Sequence, residues 1–246
     1  MLPPPLPHQQ DVLSRVLLTV SDWATARPPL VVFDLDATLY DTRPRTLEIL
    51  RDLSEDASTE DPDLSAALRG LTADGVDYLL TDTLRSCGIV RADAVNWAST
   101  YWRERFYADE WIQFDLPTPG AVDYVRACHD AGAVVLYLTG RDLPGMLAGT
   151  VTKLRDDGFP VGVVGTELVL KPDAGMGDEA FKRGALPTLE RVGDVVAVFD
   201  NEPANCNLAL DLYPAATVVL VDTQRVPGAP EPFRGIEAVA DFRIER

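Results

Sequence analysis

Five short runs of consecutive apolar residues are the feature that most limits the fold of this chain. The runs are rich in β-branched residues, and segments with helical periodicity lie between the later ones. Strands buried on both faces have continuous apolar sequences, and strands that alternate with helices form parallel sheets through right-handed crossovers. The sequence therefore predicts an α/β protein with a Rossmann-like, doubly wound parallel sheet. The predicted strands are 30–35, 133–139, 161–165, 195–199 and 217–221, and the predicted helices are 119–131, 143–157, 178–192 and 203–212.

A long segment without a clear strand separates the first two predicted strands. It has helical patterns near 45–56, 62–70, 74–87 and 91–108. A connection of this length is too long for a loop within a compact domain. We therefore expect a helical cap domain at 45–114, inserted into a core formed by 1–44 and 115–246. Residues 1–26 are expected to be an N-terminal helical extension, with a helix over 9–26.

Composition and charge exclude several classes of partner. The 246 residues carry a formal net charge of −17, which opposes binding to a nucleic acid polymer or to an anionic membrane. The N-terminal segment lacks the basic start and apolar middle of a signal peptide, and no apolar run approaches the roughly 18 residues of a membrane span. The cysteines are few and far apart, as is typical of a reducing compartment. We expect a cytoplasmic protein.

Polar side chains follow three of the predicted strands directly. Asp34, Asp36 and Thr38 follow the first strand, in FDLDATLYD, and Asp200 follows the fourth, in VFDNEP. The second strand ends in LTGRD, which supplies Thr139, Gly140 and Arg141. The carboxyl ends of parallel strands lie at one edge of the sheet, where ligands bind in open α/β folds. These side chains are therefore expected to converge.

Two acids that share one face of a strand end would repel each other and lose hydration. A divalent cation held by Asp34, Asp36 and Asp200 would offset that repulsion. Mg²⁺ prefers oxygen ligands and keeps several water molecules, so a few carboxylates suffice. The sequence therefore predicts a Mg²⁺ site at this edge, suited to an incoming phosphate.

The order of these motifs resembles that of the haloacid dehalogenase-like superfamily. FDLDATLYD is similar to the D-x-D-x-T signature, YLTGR to the second motif, Lys182 in DEAFKRG to the third, and VFDNEP to the fourth. The matched motifs span residues 30–205, and the helical insertion follows the first motif, where many members carry a cap. Ala37 stands where a glycine is frequent in the family.

The resemblance implies a role for each matched residue. Asp34 would be the nucleophile that forms an aspartyl-phosphate, and Asp36 would protonate the leaving group and later activate water. Thr139 and Lys182 would contact the transferring phosphoryl group, with Thr38, Gly140 and Arg141 on the substrate side. Asp200 would hold Mg²⁺, with the backbone carbonyl of Asp36 as a further ligand.

Several choices remain open at the level of sequence. Lys171, in LVLKP, competes with Lys182 for the third motif, although its position before Pro172 favours a strand end. Asn201, Glu202 or Asn205 would supply a further contact near the metal. Arg43, Arg45, Arg103 and Arg105 would either meet an anion or remain solvated.

The aromatic residues of the insertion also allow two interpretations. Trp97 and Tyr101, like Trp102 and Phe106, lie four residues apart. One interpretation is packing inside a small helical domain, and the other is an aromatic wall that stacks a ring over the active site.

Taken together, these features predict a Mg²⁺-dependent phosphatase that acts on a small phosphorylated metabolite. A phosphotransferase or dehalogenase with the same nucleophile, and a catalytically silent binding protein of the same fold, are the alternatives.

Overall fold

The computed structural model describes residues 5–244, which contain nine α-helices and eight strands. The helices are α1 (Gln9–Ser21), α2 (Arg43–Glu60), α3 (Pro62–Arg69), α4 (Leu80–Ser86), α5 (Ala92–Phe106), α6 (Ala121–Asp130), α7 (Leu143–Asp157), α8 (Asp178–Ala185) and α9 (Pro203–Leu212). The strands are β1 (Pro29–Phe33), β2 (Tyr40–Asp41), β3 (Leu116–Pro117), β4 (Val134–Asp142), β5 (Thr166–Lys171), β6 (Asp194–Asp200), β7 (Thr217–Val221) and β8 (Glu237–Val239). Short 3₁₀ helices span Ala73–Gly75, Asp109–Phe114 and Leu186–Arg191.

Six strands form one parallel sheet in the order β5-β4-β1-β6-β7-β8. Because side chains alternate along a strand, Val31 and Phe33 pack on one face of the sheet with α1, α6 and α7. Leu30 and Val32 pack on the other face with α8 and α9. Helices therefore cover both faces, which confirms the prediction of a doubly wound parallel sheet. None of the described helices is both long enough and apolar enough to cross a membrane.

The predicted third strand is wrong. Residues 161–165 (VGVVG) form turns, and the strand is β5, which follows immediately. Gly162 and Gly165 adopt positive φ angles of 67° and 82°, a conformation that ends an extended strand. Val164 is 96% exposed, so this run is not core. Strand β5 lies at the sheet edge and is only half-buried, which explains why it lacks a continuous apolar sequence.

Other predicted elements differ from the structure at their ends. The helix predicted over 9–26 ends at Ser21, and the one predicted over 178–192 becomes a 3₁₀ helix from Leu186, next to Pro187. A proline lacks the N–H that would continue an α-helix. Strand β8 was not predicted, because three residues leave too short a pattern. Residues 1–4 and 245–246 of the predicted extension and core lie outside the described residues.

The helical segment between β2 and β3 has an apolar cluster of its own. Its buried members range from Leu47 to Tyr101 and come from α2 to α5 and their connections. The two short strands that flank the segment, β2 and β3, pair in antiparallel fashion. This pairing brings the entry and the exit of the segment together beside the end of β1. The division into a core and a cap remains a prediction, and the separate cluster supports it.

Candidate active site

The first and fourth acidic motifs meet at the edge of the sheet. Strands β1 and β6 are parallel neighbours, and Phe33 lies opposite Phe199. The residues that follow this pair, Asp34 and Asp200, are therefore adjacent, and the backbone N–H of Asp34 donates to the carbonyl of Phe199 (2.9 Å). Both aspartates are buried.

Lys182 connects the two carboxylates. Its Nζ lies 2.7 Å from Asp34 Oδ1 and 2.7 Å from Asp200 Oδ2, and the side chain is buried. Lys182 lies in the second turn of α8, which packs on the same face of the sheet as Leu30 and Val32. Lys171 instead ends β5 and pairs with Asp178 (2.6 Å). The geometry therefore favours Lys182 over Lys171 as the third-motif lysine.

Neighbouring polar side chains fix the two carboxylates further. The hydroxyl of Thr38 donates to Asp34 Oδ2 (3.0 Å) and lies 3.3 Å from Asn201 Oδ1. The amide of Asn205 donates to both oxygens of Asp200 (3.1 and 3.2 Å). Of the three residues that the sequence left open, Asn201 thus directs its oxygen toward Thr38, which also binds Asp34, whereas Asn205 orients Asp200.

Burial makes the charge of Asp34 costly. It raises the pKa of Asp34 to about 7, although Lys182 acts in the opposite direction and Asp200 adds to the rise. For Lys182 burial opposes the charge, but Asp200 and Asp34 outweigh it and raise the pKa above its ordinary value. Lys182 is therefore cationic at neutral pH, and it is shared by two acids.

The raised pKa of Asp34 predicts a pH dependence of stability in the metal-free protein. Folded Asp34 keeps a proton that the unfolded chain releases near its ordinary pKa of 3.8. Stability must then fall as pH rises from about 4 to 7. In chelator, the free energy of unfolding of the wild type should fall faster over this range than that of Asp34→Asn, by at most about 1.4 kcal/mol per pH unit. Denaturant titrations at several pH values measure this difference, and parallel profiles would contradict the assignment.

Asp36 belongs to a separate network of ion pairs. Its Oδ1 accepts from Arg45 Nη2 (2.8 Å) and Arg141 Nη2 (2.7 Å). Both arginines also bind Asp115, which is fully buried, at 2.6 and 2.8 Å. Burial opposes ionisation of Asp36, but Arg141 and Arg45 outweigh it and hold its pKa well below the ordinary value. In this arrangement Asp36 is a carboxylate.

The second-motif residues occupy the same edge but differ in what they contact. Arg141 is 1% exposed, and its guanidinium is bound to Asp36, Asp115 and Thr150. It therefore positions Asp36 in this structure. The hydroxyl of Thr139 is buried and accepts the backbone N–H of Arg141 (3.2 Å). Gly140 lines the cleft, and a Cβ there would lie 2.6 Å from the Asp178 carboxylate.

Arg45 and Asp115 contact Asp36 or its arginine partners; of the two, sequence reasoning considered Arg45 and missed Asp115. One of the two interpretations of Arg45, a solvated side chain, is wrong because the side chain is fully buried. Besides its two acids, Arg45 donates to the carbonyl of Phe106 (2.9 Å) and lies over the ring of that residue (4.3 Å). The sequence indicates this ion pair only by an arginine at the start of the insertion and an aspartate at its end.

The oxygen atoms at this edge fit a hard divalent cation. Asp34 and Asp200 converge from neighbouring strands, and the side-chain oxygen of Asn201 lies beside them. No group of three or more His, Cys, Asp or Glu side chains suited to a metal ion occurs within residues 5–244. A cation would therefore depend on two carboxylates, neutral oxygens and water, as Mg²⁺ does in many phosphoryl-transfer sites.

Ala37 has the backbone conformation that explains why a glycine is frequent at its position. Its φ of 57° is the only positive value among the described non-glycine residues, and a Cβ costs roughly 1–2 kcal/mol there. Gly has an entropic cost of its own, so we expect Ala37→Gly to raise the free energy of unfolding by about 0.5–1 kcal/mol. Ala66→Gly, in the exposed part of α3, should lower it by about 1 kcal/mol. Chemical denaturation of both variants measures these changes. If Ala37→Gly lowered the free energy of unfolding as much as Ala66→Gly does, the backbone of Ala37 would not be strained.

A cleft of about 510 Å³ opens over these residues. Its floor includes Asp34, Asp36 and Lys182, and its opposite side is formed by the inserted segment. The aromatic residues of the insertion divide between two environments. Trp102 and Phe106 pack against the cluster of the insertion and also line the cleft, whereas Tyr101 is buried in that cluster and Trp97 packs against it outside the cleft lining.

Comparisons with known proteins bear on the fold. No protein-family model and no curated protein sequence matches this chain. Solved structures of low sequence identity do match, and each covers most of the chain. A Clostridium difficile protein described as a candidate phosphatase is 17% identical, with a TM-score of 0.51, over 84% of this chain and 88% of that one.

Two further solved structures have comparable similarity. Mycobacterium tuberculosis Protein Tyrosine Kinase A is 18% identical with a TM-score of 0.51, over 87% of this chain and 94% of that one. An Entamoeba histolytica HAD hydrolase of family IA, variant 3, is 13% identical with a TM-score of 0.50, over 87% and 93%. With the sheet order and the helical insertion described above, these matches confirm that the chain has the haloacid dehalogenase-like fold.

Proposed function

We propose that the protein is a Mg²⁺-dependent phosphatase that hydrolyses a small phosphate monoester through an aspartyl-phosphate at Asp34. One observation carries the proposal: a buried lysine joins the carboxylates of Asp34 and Asp200 at the base of an open cleft. Buried ionisable groups with shifted pKa values concentrate at functional sites. The cytoplasm remains the proposed compartment, because the three cysteines are free in the structure.

In the first half-reaction, an oxygen of Asp34 forms a bond to phosphorus while the bond from phosphorus to the alcohol oxygen breaks. Lys182 balances charge on the phosphoryl oxygens and on Asp34, and Thr38 holds the second oxygen of Asp34 away from the phosphorus. Mg²⁺ held by Asp34, Asp200 and Asn201 would supply charge neutralisation for the phosphoryl group.

In the second half-reaction, water attacks phosphorus and the bond to Asp34 breaks, which releases inorganic phosphate. We propose Asp36 as the group that exchanges protons in both halves. The two arginines hold it ionised, so accepting the proton of the attacking water suits its present state directly. Donation to the leaving alcohol requires that Asp36 be protonated first.

Release of inorganic phosphate from phenyl phosphate tests the proposal. We expect release in the presence of Mg²⁺ and its loss in excess chelator, with restoration when Mg²⁺ is returned. Transfer to an added alcohol in preference to water would favour a phosphotransferase, and chloride release from a 2-chloro acid would favour a dehalogenase. A folded protein that binds phosphate analogues without turnover in any of these assays would be a binding protein.

A further inference from the structure

The wall of the cleft that faces the catalytic carboxylates is aromatic. Trp102 and Phe106 stack with ring centroids 4.5 Å apart, and Tyr107 meets them edge-on at 6.0 and 5.2 Å. All three residues line the cleft, as does Tyr78, which is 43% exposed. Aromatic faces left in contact with water favour an apolar or aromatic partner. We call Tyr78, Trp102, Phe106 and Tyr107 the aromatic wall.

The aromatic wall lies where the inserted segment meets the cleft: Trp102 and Phe106 pack against the cluster of the insertion and also line the cavity. Tyr101, the residue before Trp102 on α5, is buried and donates its hydroxyl to Asp52 (2.7 Å). Trp102 is instead held at its edge, since its indole N–H donates to Thr46 (3.1 Å). That bond fixes the orientation of the Trp102 ring, which lines the cavity.

The charges of the cleft argue against a substrate with a second anionic group. Its described lining contains three cationic side chains, and each is already paired: Arg43 with Asp41, Arg141 with Asp36, and Lys182 with Asp34. Further carboxylates lie around the opening. They belong to Asp77, Asp178, Glu179 and Glu202.

Two of the polar side chains in the lining that could recognise a sugar are also engaged. Thr46 accepts from Trp102, and Gln224 donates to the backbone carbonyl of Val76 (2.6 Å). The cleft thus offers aromatic surface to the organic part of a ligand, few available hydroxyl partners, and net negative charge.

We propose that the aromatic wall selects a phosphate monoester whose alcohol carries an aromatic ring without an anionic group. The phosphate end of this assignment rests on the proposed function. The ring would pack against Trp102 and Tyr107, since the Phe106 ring already contacts Arg45 and Trp102. The phosphate would reach Asp34 and Lys182 across a cavity of about 510 Å³, a volume typical of small-molecule sites.

The test compares benzyl phosphate with propyl phosphate. Both are esters of primary alcohols, so their leaving groups are similar and the ring is the main difference. We expect kcat/KM to be at least about tenfold higher for benzyl phosphate, a ratio consistent with one well-packed ring. A benzyl phosphate that carries a para-carboxylate should lose most of this advantage.

Variants locate the preference on the aromatic wall. Trp102→Leu should reduce the benzyl-to-propyl ratio to within about threefold, and Trp102→Phe, which keeps a ring, should retain most of it. Trp97→Leu is the matched control, because Trp97 packs against the same cluster as Trp102 but is not part of the cleft lining, and its ratio should equal that of the wild type. Thermal unfolding of each variant confirms that it is folded.

Calorimetric binding of benzylphosphonate and propylphosphonate separates this inference from the proposed function. Tighter binding of the benzyl compound without any turnover would support the aromatic wall and overturn the phosphatase. Hydrolysis of both esters at equal kcat/KM would overturn the ring preference and leave the phosphatase intact. Failure to bind either phosphonate would overturn the ring preference as well. An unchanged benzyl-to-propyl ratio of kcat/KM in a folded Trp102→Leu variant would overturn the assignment of the preference to the aromatic wall.

Discussion

Asp34→Asn lowers the rate of phosphate release by at least about a thousandfold if Asp34 is the nucleophile, since an amide does not replace a carboxylate in attack on phosphorus. The side chain is buried and faces Lys182 and Thr38, and Asn preserves its shape. Steady-state kinetics with phenyl phosphate and Mg²⁺ measure the loss.

A loss of activity through unfolding is separable from a loss of chemistry. Because burial raises the pKa of Asp34 to about 7, its charge is unfavourable in the metal-free protein at higher pH. Asp34→Asn should then be at least as stable as the wild type at pH 8 in chelator. Asp211→Asn, an exposed change on α9, should keep wild-type activity. A folded Asp34→Asn variant that retains most of the activity would refute the assignment of Asp34 as the nucleophile.

The second large effect concerns stability. Asp115→Ala should lower the free energy of unfolding by about 3–5 kcal/mol, because it removes one partner of a buried ion-pair network. Asp115 is fully buried and binds both Arg45 and Arg141, which would be left with Asp36 as their shared carboxylate. Chemical denaturation measures the change.

A surface ion pair provides the matched control for Asp115. Asp93 lies at the start of α5, is 77% exposed and pairs with Arg91 (3.2 Å). Asp93→Ala should cost less than about 1 kcal/mol. Equal effects of the two substitutions would contradict the stabilising contribution of the buried ion pairs between Asp115 and the two arginines.

Local patterns in the sequence were sufficient to predict most strands of the parallel sheet. Strand β7 and helices α7 and α9 have the predicted bounds: β7 is one continuous apolar run, and each helix has a proline in its first turn. The pattern failed at β5, an edge strand whose sequence is half-polar, and at the neighbouring VGVVG, whose glycines form turns.

The candidate site was predictable where it depends on strand ends. Asp34 and Asp200 meet because β1 and β6 are parallel neighbours, and Lys182 joins them from α8. The partners of Asp36 were not predictable, because Arg45 and Asp115 lie 70 residues apart and meet only when the insertion begins and ends at one place. Which aromatic residues face the cleft depends likewise on the rotation of α5.

Trapping of the covalent intermediate tests the central claim most directly. Borohydride reduces an aspartyl-phosphate to homoserine, so protein quenched with it during turnover of phenyl phosphate should carry homoserine at position 34 on peptide mapping. Substrate-dependent homoserine at residue 34, absent from Asp34→Asn, is the predicted result. Turnover with no modification at residue 34, or with modification at Asp36 or Asp200 instead, would contradict the account.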